Sequence, residues 1–197
     1  MSFALGLTGS IGMGKSTTAK LFAEAGCEVW DADAAVHRLY DVGGAAVEPL
    51  RALFPDAVEN ECVSRDALKR IIGANPYALK QIEQVVHPLV AEDRAKFRAT
   101  ARSDILVFDI PLLFETGGNT AMDAVVCVSI PPEIQQERVL ARGTMSLEQF
   151  LQIREKQMPN DEKVSRSDYV VITDTVDHAR EQVHKIVAEI RKTLVHA

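Results

Sequence analysis

Residues 9–17 read Gly-Ser-Ile-Gly-Met-Gly-Lys-Ser-Thr and match the pattern G-x-x-x-x-G-K-[ST]; we call them the glycine loop. The apolar residues 3–7 before the loop predict a buried strand, and residues 18–24 after it predict the first turns of a helix. A glycine-rich segment between a strand and a helix N-terminus binds anions, because unpaired backbone N–H groups converge there. The sequence therefore predicts a site for the phosphates of a nucleoside triphosphate.

Individual residues of the glycine loop have expected roles. Lys15 is expected to reach the β- and γ-phosphates, and the Ser16 hydroxyl to ligate Mg²⁺. The predicted nucleotide contacts are Gly12, Met13, Gly14, Lys15, Ser16 and Thr17. The alternative is a glycine-rich turn with a chance lysine, and the flanking strand and helix patterns weigh against it.

Composition narrows the class of protein. A hydrophobic content of 47% and a charged content of 25% are typical of a soluble globular protein. The net charge of −6 argues against a nucleic-acid partner. The three scattered cysteines predict neither a disulfide framework nor a zinc site, and Cys27 and Cys127 are expected to be buried. No segment approaches the length of a membrane span and no basic region precedes the first apolar stretch, so we expect a cytoplasmic protein without a membrane partner.

Five apolar segments predict strands, and each is followed by a helical pattern. The predicted strands are residues 4–8, 28–31, 105–109, 124–130 and 169–173. Residues 105–108 are all apolar, as expected of a strand that is covered on both faces. The alternation predicts an α/β fold with a doubly wound, five-stranded parallel sheet whose ligands bind at the carboxyl ends of the strands.

Residues 36–100 are too long for one crossover connection and carry apolar residues at helical spacing, so we predict a helical insertion there. Asn75 and Pro76 are expected to open its longest helix as the N-cap and the first helical residue. Pro88 is expected to bend or interrupt that helix. We assign residues 1–35, 101–132 and 167–197 to the core of a single domain that spans residues 1–197.

Residues 133–166, which we call the lid region, contain six basic side chains in an acidic chain: Arg138, Arg142, Arg154, Lys156, Lys163 and Arg166. Ser146 and Gln149 form an S-x-x-Q pattern that predicts a helix N-terminus. Two short helices joined at Gly143 would form a mobile lid over phosphates. The charge pattern fits a solvated hairpin equally well, so both interpretations stay open at this point.

Acidic residues follow two of the predicted strands. Asp31 and Asp33 come after the second strand, where a carboxylate can take the proton of an acceptor hydroxyl during phosphoryl transfer. The alternative is that both carboxylates cap the following helix. Asp109 ends the third strand, which is the position of a carboxylate that holds Mg²⁺, usually through water. Position alone gives His87 no chemical role.

The motifs of this sequence, in their order and spacing, resemble those of the dephospho-CoA kinase family. The resemblance is carried by residues 6–17, Asp31-Ala32-Asp33, His87-Pro88, residues 109–115 (Asp-Ile-Pro-Leu-Leu-Phe-Glu), Arg138 with Arg142, and Gln157-Met158-Pro159. It covers nearly the whole chain. The glycine loop is generic, whereas Asp-x-Asp followed by His-Pro and Asp-[IV]-Pro-Leu-Leu-[FY]-Glu is far more specific to that family.

The resemblance implies a P-loop nucleotide-kinase-like fold with a helical CoA-binding insertion at residues 36–100 and a lid at residues 133–166. It implies ATP-dependent phosphorylation of the ribose 3′-hydroxyl of dephospho-CoA, with Mg²⁺ held by Ser16 and Asp109. The catalytic residues would be Asp33, Lys15, Arg138 and Arg142. The acceptor contacts would be Thr8, Asp33, His87, Pro111, Leu112, Leu113 and Glu115. The family's Asn-x-Gly-type turn after the last strand is absent from residues 172–176, so no site residue is predicted there.

Three other functions compete with this interpretation. A kinase for another small acceptor, such as a nucleotide or shikimate, would share the glycine loop. A nucleotide-dependent switch or GTPase predicts an [NT]-K-x-D motif, which the sequence lacks. A structural module with a vestigial loop is disfavoured by the intact Lys15-Ser16 pair and the arginines of the lid region. We expect ATP and dephospho-CoA as small-molecule partners, and a monomer or weak homo-oligomer.

Overall fold

A five-stranded parallel sheet is the centre of the fold, seen in a computed structural model that describes residues 2–195. The strands of the chain are β1 (Phe3–Thr8), β2 (Glu28–Asp31), β3 (Val58–Glu59), β4 (Cys62–Val63), β5 (Ile105–Asp109), β6 (Ala124–Ser129) and β7 (Tyr169–Ile172). The sheet has the order β2-β5-β1-β6-β7. In the middle of it, β1 pairs in parallel with β5, where Leu7 lies opposite Asp109, and with β6, where Thr8 lies opposite Cys127.

Nine α-helices occur within residues 2–195. They are α1 (Lys15–Glu24), α2 (Ala32–Tyr40), α3 (Val47–Leu53), α4 (Arg65–Ala74), α5 (Ala78–Thr100), α6 (Pro132–Ala141), α7 (Leu147–Lys156), α8 (Asn160–Ser165) and α9 (Val176–Val195). Short 3₁₀ turns lie at Pro55–Ala57 and Gly118–Ala121. None of the helices in this described range combines the length and apolarity needed to cross a membrane.

The chain divides into two compact units. Residues 31–100 form one unit, and the rest of the described chain, which holds most of the parallel sheet, forms the other. The core of the sheet unit lies between one face of the sheet and helices α1 and α9; it includes Leu5, Phe22, Val126 and Ile186. Strand residues on the opposite face, such as Val125, pack with the segment that follows β5. The sheet is thus covered on both faces, as its apolar strands predict.

The unit of residues 31–100 has a separate apolar core. Helices α2 to α5 supply it with Leu39, Leu50, Leu68, Ile82 and Val86, and the hairpin of β3 and β4 adds Val63. The hairpin turns through Asn60 and Glu61, whose φ angles of 51° and 62° are left-handed. The sequence did not predict this hairpin, because two-residue strands are too short to produce an alternating pattern.

The strand predictions are confirmed to within one residue at each end, and the prediction for the longest helix needed two corrections. The longest helix begins at Ala78 instead of Pro76. The Asn75 carboxamide oxygen accepts the Tyr77 N–H at 3.0 Å, and this bond forms a turn ahead of the helix. The helix then continues through Pro88 without interruption.

The lid region contains three helices, α6, α7 and α8, where the sequence predicted two. The capping box at the start of α7 is confirmed: Ser146 accepts the Gln149 N–H, and the Gln149 carboxamide accepts the Ser146 N–H. Gly143 turns the chain between α6 and α7 with a φ of 64°. The missed helix, α8, has only six residues, so it shows almost no periodicity in the sequence.

The packing of Phe22 leads to a prediction for stability. Its side chain is fully buried between the sheet and α9, so Phe22→Ala removes a large apolar contact and leaves a cavity. We expect the free energy of unfolding to fall by about 3–5 kcal/mol. Urea denaturation followed by circular dichroism measures the loss, with Val195→Ala as the control because Val195 is 81% exposed. Equal midpoints for the two variants would contradict the assigned core.

Candidate functional site

The glycine loop connects β1 to α1 along a backbone path that needs glycine at two positions. Gly12 and Gly14 have φ angles of 78° and 91°, in the left-handed region that other residues rarely adopt. The Met13 N–H donates to the Ser10 carbonyl at 3.2 Å, and α1 begins at Lys15. The loop therefore leads directly into a helix N-terminus, whose first N–H groups have no acceptor within the helix.

Side chains from outside the glycine loop hold its peptide groups. The Gln135 Nε2 donates to the Ile11 carbonyl at 2.7 Å, and the Ile11 N–H donates to Oε1 of Gln157 at 3.1 Å. The Thr173 hydroxyl donates to the Met13 carbonyl at 2.6 Å. Because these bonds fix the shape of the loop in advance, a ligand has less ordering cost to overcome when it binds.

Lys15 and Asp109 form an ion pair next to the glycine loop. The Lys15 ammonium donates to Oδ1 of Asp109, and the carboxylate is almost fully buried with 1% exposure. The pairing of Leu7 with Asp109 brings the end of β5 beside the end of β1, where the loop begins. Two residues that the sequence identified separately are therefore in direct contact.

Ser16 and Asp109 are suitable ligands for Mg²⁺. They offer hydroxyl and carboxylate oxygens, which are the donors that Mg²⁺ prefers. The exposed Ser16 is in the first turn of α1, next to the Lys15 that contacts Asp109. No group of three or more His, Cys, Asp or Glu side chains in the described chain could hold a metal. A small donor set suits Mg²⁺, which completes its coordination with substrate phosphates and water.

Arg138 and Arg142, at the end of α6, line a cavity of about 200 Å³ beside the glycine loop. The remaining lining residues are Gly12, Gly14, Thr17, Thr18, Thr173, Asp174, Thr175, Val176 and Ala179. Arg138 donates to the Asp174 carbonyl at 3.0 Å, which holds it against the segment after β7. Two guanidinium groups beside the loop make this cavity suited to an anionic ligand.

A second cavity, of about 840 Å³, lies between the lid region and the carboxyl ends of β6 and β7. Its walls include Ser10 and Met13 of the glycine loop, Leu151 of α7, and Gln157 and Met158 after α7. In the lid region, α7 is therefore separated from the sheet edge by open space, and it packs tightly only around the buried Phe150. A segment of this kind can move relative to the loop more easily than a helix of the core.

The segment after β5, residues 110–115, is called here the post-β5 loop. The Thr8 hydroxyl donates to the Pro111 carbonyl at 3.1 Å. Leu112 is 42% exposed, whereas Leu113 is fully buried with Val125 on the outer face of the sheet. The Leu113 side chain packs in the core in this conformation, and the acceptor contact expected of Leu113 stays a prediction.

Glu115, at the end of the post-β5 loop, is held by groups from the lid region. It pairs with the Lys163 ammonium at 2.9 Å and accepts the Met158 N–H at 3.0 Å. Burial opposes ionisation of this carboxyl, but the Lys163 hydrogen bond and the backbone N–H donors outweigh it and lower the pKa of Glu115. Glu115 is therefore an ionised group that joins two segments of the sheet unit.

Asp33 and His87 belong to the unit of residues 31–100. Asp31 is the N-cap of α2, and its carboxylate accepts the Ala34 N–H at 2.9 Å. Asp33 is exposed in the first turn of α2, and within residues 2–195 no hydrogen bond or ion pair engages its carboxylate. The alternative in which both carboxylates cap the helix is therefore wrong. His87 is exposed on α5.

Several residues that shape the site were missed by the sequence analysis. Gln135 and Thr173 bond to the glycine loop, yet neither belongs to a motif. Gln157 was noted only as part of the family resemblance. Lys163 was counted with the other basic residues of the lid region, although its side chain is fully buried. These roles depend on contacts between distant parts of the chain, and local patterns do not contain them.

The sequence is similar to known proteins over its whole length. The family model for dephospho-CoA kinase, CoaE, matches residues 3–178. A dephospho-CoA kinase of Ruegeria pomeroyi is 69% identical over 197 residues, which is all of both chains. A dephospho-CoA kinase of Cereibacter sphaeroides is 55% identical over 191 residues, or 97% of each chain.

The fold is also similar to solved structures. The TT1252 protein of Thermus thermophilus has a TM-score of 0.85 and 34% identity, and the match covers 95% of this chain and 97% of that one. The dephospho-CoA kinase of Campylobacter jejuni has a TM-score of 0.71 and 25% identity, with 98% and 99% covered. The shikimate kinase of Bacteroides thetaiotaomicron has a TM-score of 0.52 at 10% identity, with 96% and 98% covered; this match concerns the fold alone.

The contacts of Glu115 predict how stability depends on pH. Because its pKa in the folded protein is lowered from the ordinary value of 4.5, the ionised carboxylate stabilises the fold above that pH. This contribution is lost as the pH falls through the folded pKa. Glu115→Gln leaves the buried Lys163 ammonium without its ionic partner, so we expect a loss of about 1–3 kcal/mol at pH 7.

Urea denaturation of the parent and of Glu115→Gln between pH 7 and pH 3 measures this effect. The stability difference between the two proteins should be largest at neutral pH and should shrink as the carboxyl of the parent becomes protonated. A difference that stays constant over the whole range would contradict the assignment of an ionised Glu115.

Proposed function

This chain belongs to the dephospho-CoA kinase family, whose reaction is the final, ATP-dependent step of CoA synthesis. From that premise we propose that it transfers the γ-phosphoryl group of ATP to the ribose 3′-hydroxyl of dephospho-CoA, giving coenzyme A and ADP. The observation that carries the proposal is the contact of Lys15 with Asp109 at the edge where the glycine loop meets α1. This is the arrangement in which a lysine and a strand-end carboxylate serve phosphoryl transfer.

The glycine loop binds the ATP phosphates in this proposal. N–H groups of residues 12–17 donate to phosphate oxygens, and the Lys15 ammonium bonds to the β- and γ-phosphates. Arg138 and Arg142 neutralise the charge that the transferred group carries in the transition state. Their position on the cavity beside Gly12 and Gly14 supports this role. Positioning and charge neutralisation supply most of the rate enhancement, because phosphoryl transfer needs little covalent chemistry from the protein.

Mg²⁺ is the cofactor that we propose for this site. Ser16 would hold it through its hydroxyl, and Asp109 through its carboxylate, usually by way of water. When bound, the ion neutralises phosphate charge and orients the leaving group. The protein's own contribution is to keep these oxygens at the start of α1 and the end of β5, with the Lys15 ammonium alongside.

Asp33 is the proposed general base. The acceptor 3′-oxygen attacks the γ-phosphorus, and the bond from that phosphorus to the β–γ bridging oxygen breaks. The bridging oxygen keeps the electron pair and leaves as part of ADP, while the hydroxyl proton passes to the Asp33 carboxylate. The support is that Asp31 provides the cap of α2, and that the exposed Asp33 carboxylate has no hydrogen bond or ion pair within residues 2–195.

The proposed acceptor contacts are those that the family resemblance implies: Thr8, Asp33, His87, Pro111, Leu112, Leu113 and Glu115. The exposure of Leu112 and His87 supports their part in this set.

We further propose that the enzyme works in the cytoplasm as a monomer or weak homo-oligomer, without nucleic acid. Its net charge of −6 and its free cysteines fit that setting.

A coupled assay of ADP formation tests the proposed reaction directly. With ATP and Mg²⁺ as the donor, we expect turnover with dephospho-CoA and none above background with shikimate or a nucleoside monophosphate. The same assay with GTP in place of ATP measures the preference for the base. Activity that is confined to shikimate or to a nucleotide would overturn the proposed acceptor.

The role of Asp33 has its own test. Asp33→Asn keeps the shape of the side chain but removes the base, so kcat should fall by about 10²–10⁴-fold, as expected for a general base. ATP affinity should stay unchanged, since no phosphate contact is lost. Asp31→Asn is the matched control, because asparagine caps a helix as well as aspartate does. Loss of activity in the control, with full activity in Asp33→Asn, would transfer the role to Asp31.

A further inference from the structure

Lys163 is a fully buried lysine in the lid region, where the sequence predicted basic residues that bind phosphate or face solvent. It lies in α8, and its side chain has 0% exposure. The ammonium donates to the Glu115 carboxylate at 2.9 Å and to the Pro111 carbonyl at 3.1 Å. Burial of an ammonium is costly unless it is paired and hydrogen-bonded, and here two acceptors of the post-β5 loop meet that need. Lys163 is therefore directed at this loop instead of at solvent.

The Pro111 carbonyl is the point where three parts of the chain meet. It accepts the Thr8 hydroxyl from the end of β1 and the Lys163 ammonium from α8, each at 3.1 Å. Pro111 lies two residues after Asp109, which pairs with Lys15 of the glycine loop. A shift of the Pro111 peptide group would therefore displace the loop close to the proposed phosphoryl-transfer site.

The segment that precedes Lys163 makes further contacts with both loops. The Gln157 carboxamide accepts the Ile11 N–H of the glycine loop at 3.1 Å. The Met158 N–H donates to Glu115 at 3.0 Å, on the same carboxylate oxygen that Lys163 contacts. Residues 157–163 thus hold the glycine loop at one end and the post-β5 loop at the other.

We propose that Lys163 is a positioning residue of the phosphoryl-transfer site, which fixes the post-β5 loop through its bonds to Pro111 and Glu115. This inference rests on the proposed function, because it assigns the post-β5 loop to acceptor binding. It gives Lys163 a role different from that of a lid cation. A lid cation contacts phosphate, whereas Lys163 acts through the loop and makes no substrate contact. Loss of Lys163 should therefore impair use of the acceptor and leave ATP binding intact.

The test compares Lys163→Met, Glu115→Gln and the double variant. Lys163→Met keeps most of the side-chain volume but leaves the Glu115 carboxylate without its cation, so it can destabilise the fold. The double variant removes both charges and should recover stability. The Pro111 carbonyl still lacks the Lys163 donor in the double variant. The comparison of the double variant with Glu115→Gln therefore tests the bond between Lys163 and Pro111 with the Glu115 carboxylate absent from both proteins.

We expect kcat/KM for dephospho-CoA in the double variant to be about 10²-fold below that of Glu115→Gln, the usual cost of a small misplacement near the reacting groups. The dissociation constant for ATP should be equal in the two proteins. Hydrogen exchange at the backbone amides of residues 112–118 should be faster in the double variant. Lys185→Gln is the control for loss of a lysine, because Lys185 is exposed on α9.

Two results would overturn the proposal. The first is equal kcat/KM and equal hydrogen exchange in the double variant and Glu115→Gln. That result would mean that Lys163 only neutralises the charge of Glu115 and does not fix the loop. The second is a parallel loss of ATP binding, which would make Lys163 a general structural residue. A parent protein with no activity toward dephospho-CoA would refute the proposed function instead. The exchange measurement would still decide whether Lys163 fixes the loop.

Discussion

The parallel pairing of β1 on both of its edges is the constraint on which the site depends. Parallel strands end at the same edge of a sheet, so the carboxyl ends of β5, β1 and β6 lie side by side. The glycine loop leaves β1 at this edge, and Asp109 ends β5 there. The ion pair of Lys15 with Asp109 follows from that register. A shift by one residue would turn Asp109 to the other face of the sheet.

Many hydrogen bonds from side chains converge on a few peptide groups of the two loops at this sheet edge. A loop that binds an anion through its backbone N–H groups must hold those groups in position, so its backbone needs restraints from other segments. Gln135, Gln157 and Thr173 provide these for the glycine loop through Ile11 and Met13. Lys163 and Thr8 provide them for the post-β5 loop through Pro111. Preorganisation of this kind is worth much in phosphoryl transfer, where catalysis depends on position and charge.

The lid region combines stable and mobile features. Its capping box and the buried Phe150 favour ordered helices, while the cavity of about 840 Å³ separates α7 from the sheet edge. The basic side chains at its two ends have different surroundings. Arg138 and Arg142 border the cavity beside the glycine loop, whereas Lys163 is buried against Glu115. The basic residues of the lid region therefore differ in their surroundings: two border a cavity, and one is buried in an ion pair. The number of charges in the sequence does not show this difference.

The sequence by itself determined the five strands, the glycine loop and the family, because these are local or ordered patterns: apolar runs, glycines at fixed spacing and short motifs along the chain. It also predicted site roles for Lys15 and Asp109. Only the tertiary structure decided that these two residues touch, that Leu113 packs in the core and that Lys163 is a buried partner of Glu115. Such facts depend on which distant segments meet, and the pattern of a single segment holds no information about its neighbours in space. The β3–β4 hairpin and α8 were missed for a different reason, since elements of two to six residues are too short to show a period.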